Sequence, residues 1–184
     1  MMVLVTGGSG SGKSAYAEER ILSMGKGRRF YVATMFPYDE ESHKRIDRHR
    51  RMRAGKGFET VECYTNLEEL YLPSDGIILL ECMSNLTANE MFREDKPAED
   101  TVSKILNGVR QIKEQVRHLV VVTNEIFSDA EAYSKETREY QENLGKINQE
   151  MAGMADEVVE VTAGIPIFYK GNEDTSHDKC MEQF

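Results

Sequence analysis

Six short apolar runs punctuate the chain, at Met2–Thr6, Phe30–Thr34, Phe58–Cys63, Ile77–Cys82, Leu119–Asn124 and Val158–Thr162. Several are continuous and rich in Val and Ile, the pattern of parallel strands buried on both faces. Between them, Lys13–Met24, Asp39–Arg53, Val102–Val116 and Glu136–Met154 carry the longer mixed patterns of helices. Strands alternating with helices predict an α/β fold, a doubly wound and mostly parallel sheet covered by right-handed crossovers. A last apolar segment, Ile165–Tyr169, follows Gly164 and reads as a hairpin strand turning back at the sheet edge. Residues 171–184 are polar and aperiodic, a C-terminal tail beyond a single domain of residues 1–170.

Composition narrows the functional classes. The chain has 184 residues with 23 Lys and Arg against 32 Asp and Glu. The resulting formal charge of −9 argues against a generic electrostatic grip on nucleic acid or anionic lipid, so any basic function must be local. No apolar run approaches the roughly 20 residues that would span a bilayer, so no transmembrane segment is expected. The opening MMVLVTGG reaches a Gly-rich turn too soon for an export signal. The cysteines, Cys63, Cys82 and Cys180, are odd in number, far apart and without zinc spacing, which suits a reducing, cytoplasmic setting.

The first run leads directly into Gly7-Gly8-Ser9-Gly10-Ser11-Gly12-Lys13-Ser14, a match to GxxxxGK[ST] between a strand and a helix. Glycines let the backbone curl so that successive N–H groups converge on phosphate oxygens, while the following helix presents its positive end. Lys13 supplies a point charge for the β and γ phosphates, and the Ser14 hydroxyl is a candidate ligand for Mg²⁺. The motif predicts a fold like that of the P-loop nucleoside triphosphate hydrolases. Neither the DxxG turn nor the NKxD motif of regulatory GTPases occurs, which favours a small-molecule kinase or a nucleotidyltransferase over a GTP switch.

A second segment reverses the overall acidity. From His43 to Arg53, six Arg or Lys and two His fall within eleven positions, as a polyphosphate substrate would require. In a helix Arg45, His49 and Arg53 share one face, and His43 falls off it. A neutral imidazole set among guanidiniums is a nucleophile for phosphorus, so His49 is the candidate.

With both features in hand, the chain resembles the bifunctional adenosylcobinamide kinase/adenosylcobinamide-phosphate guanylyltransferase family of cobalamin biosynthesis, from Met2 to Lys170. The likeness runs through Leu4-Val5-Thr6-Gly7-Gly8 with Ser11 to Ser14, Tyr31-Val32-Ala33-Thr34, Arg45-Ile46-Asp47-Arg48-His49 with Arg53, Thr60-Val61-Glu62, Leu79-Leu80-Glu81-Cys82 and Val122-Thr123-Asn124-Glu125. It continues through Gly145-Lys146-Ile147-Asn148-Gln149, Ala155-Asp156-Glu157-Val158 and Ala163-Gly164-Ile165-Pro166.

The resemblance implies two linked reactions. ATP or GTP phosphorylates the aminopropanol hydroxyl of adenosylcobinamide, and GTP gives GMP to a histidine, which passes it to adenosylcobinamide phosphate to make adenosylcobinamide-GDP. The matching histidine is His49. By position, the family's nucleotide contacts fall on Gly7 to Ser14, on Thr34, Met35 and Phe36, on Arg50, Arg51, Met52 and Arg53, and on Glu62 and Glu81. A carboxylate suits the N1–H and amine of guanine. Glu62 also reads as an ordinary strand-end charge, and Glu81 stands where a Walker B acid would serve Mg²⁺. Likeness further implies a homotrimer. The alternative is a P-loop small-molecule kinase without guanylyl transfer.

Two departures bear on this reading. Gly10 stands where the family's loop usually has Arg, and the chain reads Ile126-Phe127-Ser128-Asp129-Ala130-Glu131-Ala132 where the family commonly carries a Val-Gly, Gly-Ile-Val-Pro loop. The second falls beyond the carboxyl end of a strand, where α/β folds place substrates, and so touches the corrinoid side of the reaction.

Overall fold

Apolar residues on both faces of consecutive strands require helices above and below, and the chain folds accordingly. The computed structural model describes residues 1–93, 100–126 and 134–171. The element order is β1 (Met2–Thr6), α1 (Lys13–Ser23), β2 (Arg29–Ala33), α2 (Glu40–Arg53), β3 (Phe58–Glu62) and a 3-10 turn (Leu67–Glu69). It continues with β4 (Ile77–Glu81), α3 (Met83–Met91), α4 (Thr101–Gln115), β5 (His118–Val122), α5 (Lys135–Met154), β6 (Glu157–Thr162) and β7 (Ile165–Lys170). Among the described residues one seven-stranded sheet forms in the order β3-β2-β4-β5-β1-β6-β7. All neighbours are parallel except β6 and β7.

Alternate residues of the central strands feed two cores. Leu4, Val32, Ile78, Leu80 and Val121 pack with Leu86 of α3, Ile105 and Val109 of α4 and Leu144 and Ile147 of α5. Val3, Val5, Tyr31, Leu79 and Val122 pack with Ala17 and Ile21 of α1. The predicted runs match the strands to within two residues at each end, the largest difference being at β5, where the run extends to Asn124 and the strand ends at Val122. The expected edge hairpin is present. Ala163 and Gly164, at φ 52° and 80°, supply the two positive-φ positions of a tight β-hairpin turn that sets Thr162 opposite Ile165.

Helix α3 departs from the sequence expectation, which assigned no element to Met83–Met91. Its buried face mixes Met83 and Leu86 with Ser84, Thr87 and Glu90, so the apolar period is broken. The polar members are satisfied instead. Thr87 donates to the Met83 carbonyl, and Glu90 accepts from the Asn66 N–H and from Lys104.

Strand register builds the site's floor. Glu62 pairs with Ala33, Ala33 with Glu81, Glu81 with Val122, and Val122 with Val5. The carboxyl ends of five strands therefore end in one row, with the Gly-rich loop at one side and the loop into α2 at the other. The tail from residue 172, Cys180 within it, and the divergent loop from residue 127 lie outside the described residues.

Candidate active site

The loop after β1 has a shape only its glycines permit. Gly7 sits at φ 150°, and a Cβ there would lie 2.5 Å from the Val161 carbonyl oxygen and 2.7 Å from Ser11 Oγ. Gly12 sits at φ 95° and packs close to Gly164, so the edge hairpin buttresses the loop. The Gly164 N–H donates to the Ser11 carbonyl at 2.8 Å.

Gly12 is also the N-cap of α1 and offers no side chain to the helix's first N–H groups. Asp39, Asp100 and Ser134 do cap α2, α4 and α5. Donors left without a side-chain cap beside a glycine loop suit an anion. Two further groups fit the same reading. Ser11 Oγ is buried without a hydrogen-bond partner, and Lys13 folds back to donate to the Gly8 carbonyl at 3.0 Å. Burial holds the Lys13 pKa below the ordinary lysine range, with Cys82 and Glu81 acting in the opposite direction.

A cleft of about 600 Å³ opens between this loop, the row of strand ends and α2. Of the expected site residues, Ser9, Gly10, Ser11, Gly12, Lys13, Ser14, Met35, His49, Arg50, Met52, Arg53, Glu62 and Glu81 line it. Gly7 and Gly8 form the loop's base. Cations from two elements, Lys13 on α1 and Arg45, Arg48, Arg50 and Arg53 on α2, border the same space. The local basic island thus faces the phosphate loop within an acidic chain.

Thr34, Phe36 and Arg51, also expected at the site, are not among the residues that line the cleft. The Thr34 side chain is fully buried, donating to the Cys82 carbonyl and accepting from the Cys82 N–H, so it ties the end of β2 to the end of β4. Phe36 packs tilted against Tyr38 and edge-on against Tyr64, and Arg51 donates back to the Asp47 carbonyl. His43 does border the cleft, because α2 lies against it along most of its length and side chains from more than one face reach in.

The surroundings of His49 also differ from the sequence picture. Its nearest charged partner is a carboxylate: Nδ1 lies 3.6 Å from Glu81 Oε1 and is buried without a hydrogen-bond partner. Arg53, one turn further along α2, stacks on the Tyr31 ring with its guanidinium carbon 3.6 Å from the centroid and donates to Thr60 Oγ1 at 3.3 Å. Glu81 accepts from Ser14 Oγ through Oε1 and from the Tyr31 hydroxyl through Oε2 at 3.2 Å. Arg50 pairs with Glu62 at 3.7 Å, and both groups are more than half exposed.

Tyr31 was missed as a site residue because it stands inside an apolar strand and reads as core. Asn85 and Asn124, which also border the cleft, carry no local signal beyond their places after strands.

The cobinamide kinase/cobinamide phosphate guanyltransferase family model matches residues 3–168. The chain belongs to this family. It is 31% identical to the bifunctional adenosylcobalamin biosynthesis protein CobU of Escherichia coli strain K12, over 92% of this chain and all of that one. It is 32% identical to the protein of the same description from Salmonella typhimurium strain LT2, with the same coverage. Membership makes the chain a nucleotide-binding transferase of cobalamin biosynthesis with kinase and guanylyltransferase chemistry. Among solved structures, a type III secretion system ATPase of pathogenic bacteria matches with a TM-score of 0.56 at 8% identity, over 88% of this chain and 51% of that one. That likeness concerns the P-loop fold alone.

Proposed function

We propose that the protein phosphorylates adenosylcobinamide and then carries GMP from GTP to adenosylcobinamide phosphate through a guanylyl-histidine at His49. The observation that carries this reading is the convergence of the P-loop, Glu81 and His49 on one cleft. Two reactions of one chain thereby share one nucleotide site.

In the kinase step, the acceptor hydroxyl attacks the γ phosphorus of ATP or GTP and the nucleoside diphosphate leaves. Lys13 and the loop N–H groups hold the phosphates and offset charge that grows on their oxygens. In the transferase step, His49 Nε2 attacks the α phosphorus of GTP. An N–P bond forms, the bond to the β-phosphate oxygen breaks, and pyrophosphate departs. A phosphate oxygen of the acceptor then displaces the imidazole and forms the new pyrophosphate link. Splitting one displacement into two through an imidazole leaving group lowers each barrier. Glu81, facing Nδ1, orients the ring so that Nε2 is the attacking nitrogen. Arg45, Arg48 and Arg50 supply charge near the phosphates.

Ser14 and Glu81 pair hard oxygen donors at the loop, a set that suits Mg²⁺. Among the described residues no cluster of three or more His, Cys, Asp or Glu could hold a metal, so nucleotide phosphates would complete its shell. There the ion would neutralise phosphate charge. Glu81's contact with Ser14 supports the metal side of its two sequence readings, and Glu62, exposed at the far side of the cleft, is left as the guanine reader.

We also take residues 1–170 as one catalytic domain of a cytoplasmic homotrimer. The apolar side chains exposed on β7, Ile165, Ile167, Phe168 and Tyr169, support an assembly. No helix among the described residues is long and apolar enough to cross a membrane.

Incubation with labelled GTP and Mg²⁺ tests the reading. The expected result is an acid-labile, alkali-stable GMP adduct that His49→Ala abolishes and His43→Ala retains. A wild-type protein that phosphorylates adenosylcobinamide but forms no adduct would be a kinase alone.

A further inference from the structure

Strand β2 sends Phe30 and Val32 into one core and Tyr31 into the other, where only 4% of it is exposed. A phenylalanine would fill that volume. A buried hydroxyl costs stability unless paired, and this one is paired with a carboxylate, which makes its presence a matter of the site and not of the core.

Glu81 divides its oxygens. Oε2 accepts from Tyr31, and Oε1 accepts from Ser14 and faces His49 Nδ1 at 3.6 Å. A donor fixed on one oxygen sets the torsion of the carboxylate and so decides where the other oxygen points. The same tyrosine supports the helix that bears the histidine. Arg53, four residues beyond His49, lies on its ring face and is the buried residue of α2. Tyr31 thus holds both the partner of His49 and the turn that follows it. A phenol hydroxyl keeps its proton and so remains a donor throughout the neutral range.

We propose that Tyr31 is a positioning residue for guanylyl transfer: its hydroxyl fixes the Glu81 orientation that presents Oε1 to Ser14 and His49, and its ring seats Arg53. The proposal rests on His49 as the guanylyl carrier. Loss of the hydroxyl leaves the loop and its donors in place, so nucleotide binding persists while the nucleophile loses its alignment.

The test is single-turnover adduct formation with labelled GTP and Mg²⁺ in wild type, Tyr31→Phe, Tyr31→Leu, Glu81→Gln and the Tyr31→Phe/Glu81→Gln double variant, with GTP affinity measured alongside. Tyr31→Phe should slow the maximal rate of adduct formation about tenfold with GTP affinity changed by less than about twofold. Tyr31→Leu, which also removes the seat of Arg53, should be slower again. Because Tyr31 acts through Glu81, adding Tyr31→Phe to Glu81→Gln should cost less than about threefold more, whereas independent effects would multiply. A wild-type rate in Tyr31→Phe, a loss confined to GTP affinity, or multiplicative effects in the double variant would each overturn the proposal while leaving the adduct chemistry intact. Absence of the adduct from the wild-type protein would overturn the guanylyl-histidine reading and this proposal together. Tyr31→Phe keeps the core volume, and an unchanged circular dichroism spectrum with retained GTP binding verifies that it folds.

Discussion

The phosphate loop and the histidine helix face each other across one cleft, yet they are built by opposite means. The loop hangs from β1, in which Met2, Val3 and Val5 are fully buried, and it works through backbone: positive φ at Gly7, Gly10 and Gly12 and the N–H groups at the start of α1. Helix α2 buries Arg53 and works through side chains. It is tied down by Arg53 on Tyr31 and Thr60 and by the exposed pair Arg50–Glu62. The core therefore fixes the loop, while polar contacts fix the helix. Damage to the loop should reach both reactions, because both need phosphates held. Damage to the helix should fall on guanylyl transfer first.

The largest expected effect lies on the loop side. Lys13→Ala removes a buried cation from the phosphate site and should lower both phosphorylation of adenosylcobinamide and adduct formation by about 100-fold or more. Parallel assays of the two reactions check this; a loss confined to one of them would break the comparison. Next comes the backbone itself. In Gly7→Ala the new Cβ would meet the Val161 carbonyl, so we expect about 2–3 kcal/mol of destabilisation in urea unfolding together with loss of nucleotide binding. Gly10, also at positive φ, has open space around its Cβ position, so Gly10→Ala should cost only about 1 kcal/mol.

The same contrast explains what the sequence disclosed. A backbone cradle needs consecutive glycines, so the loop was legible as one motif. Strands buried on two faces were legible as continuous apolar runs. On the helix side, the place of His49 at the cleft was legible through a local reversal of charge, but its proximity to Glu81 was not. Glu81 stands 32 positions away, and only the β2–β4 register and the path of α2 bring the two together. Thr34, Phe36 and Arg51, expected by position alongside cleft residues, stand outside the lining. A strand end alternates its side chains and a helix turns by about 100° per residue, so neighbours in sequence point elsewhere. Helix α3 was hidden because its buried Ser84, Thr87 and Glu90 mimic an exposed pattern.

The smallest expected effect sharpens the helix side. Asp39 caps α2, its carboxylate accepting from the Ser42 N–H at 2.7 Å and from the Ser42 hydroxyl, and these bonds hold its pKa below the reference 3.8. A carboxyl depressed in the folded state contributes stability that is complete above its unfolded pKa and disappears as the pH falls through the folded value. The cap is therefore fully present from pH 5 upward and is lost only under strongly acid conditions. Asp39→Ala should slow adduct formation about two- to threefold at pH 7, with nucleotide affinity unchanged, because the cap orders the helix and not the loop. The ratio of wild-type to variant rates should be flat from pH 5 to 8, and the difference in urea midpoint should begin to narrow only below about pH 4 and close as the pH falls through the folded value. Asp39→Asn, which keeps an acceptor oxygen, should match wild type at neutral pH. A fall in nucleotide affinity in Asp39→Ala would mean that the loop depends on α2 for its shape, and the division between a core-built cradle and a contact-held helix would fail.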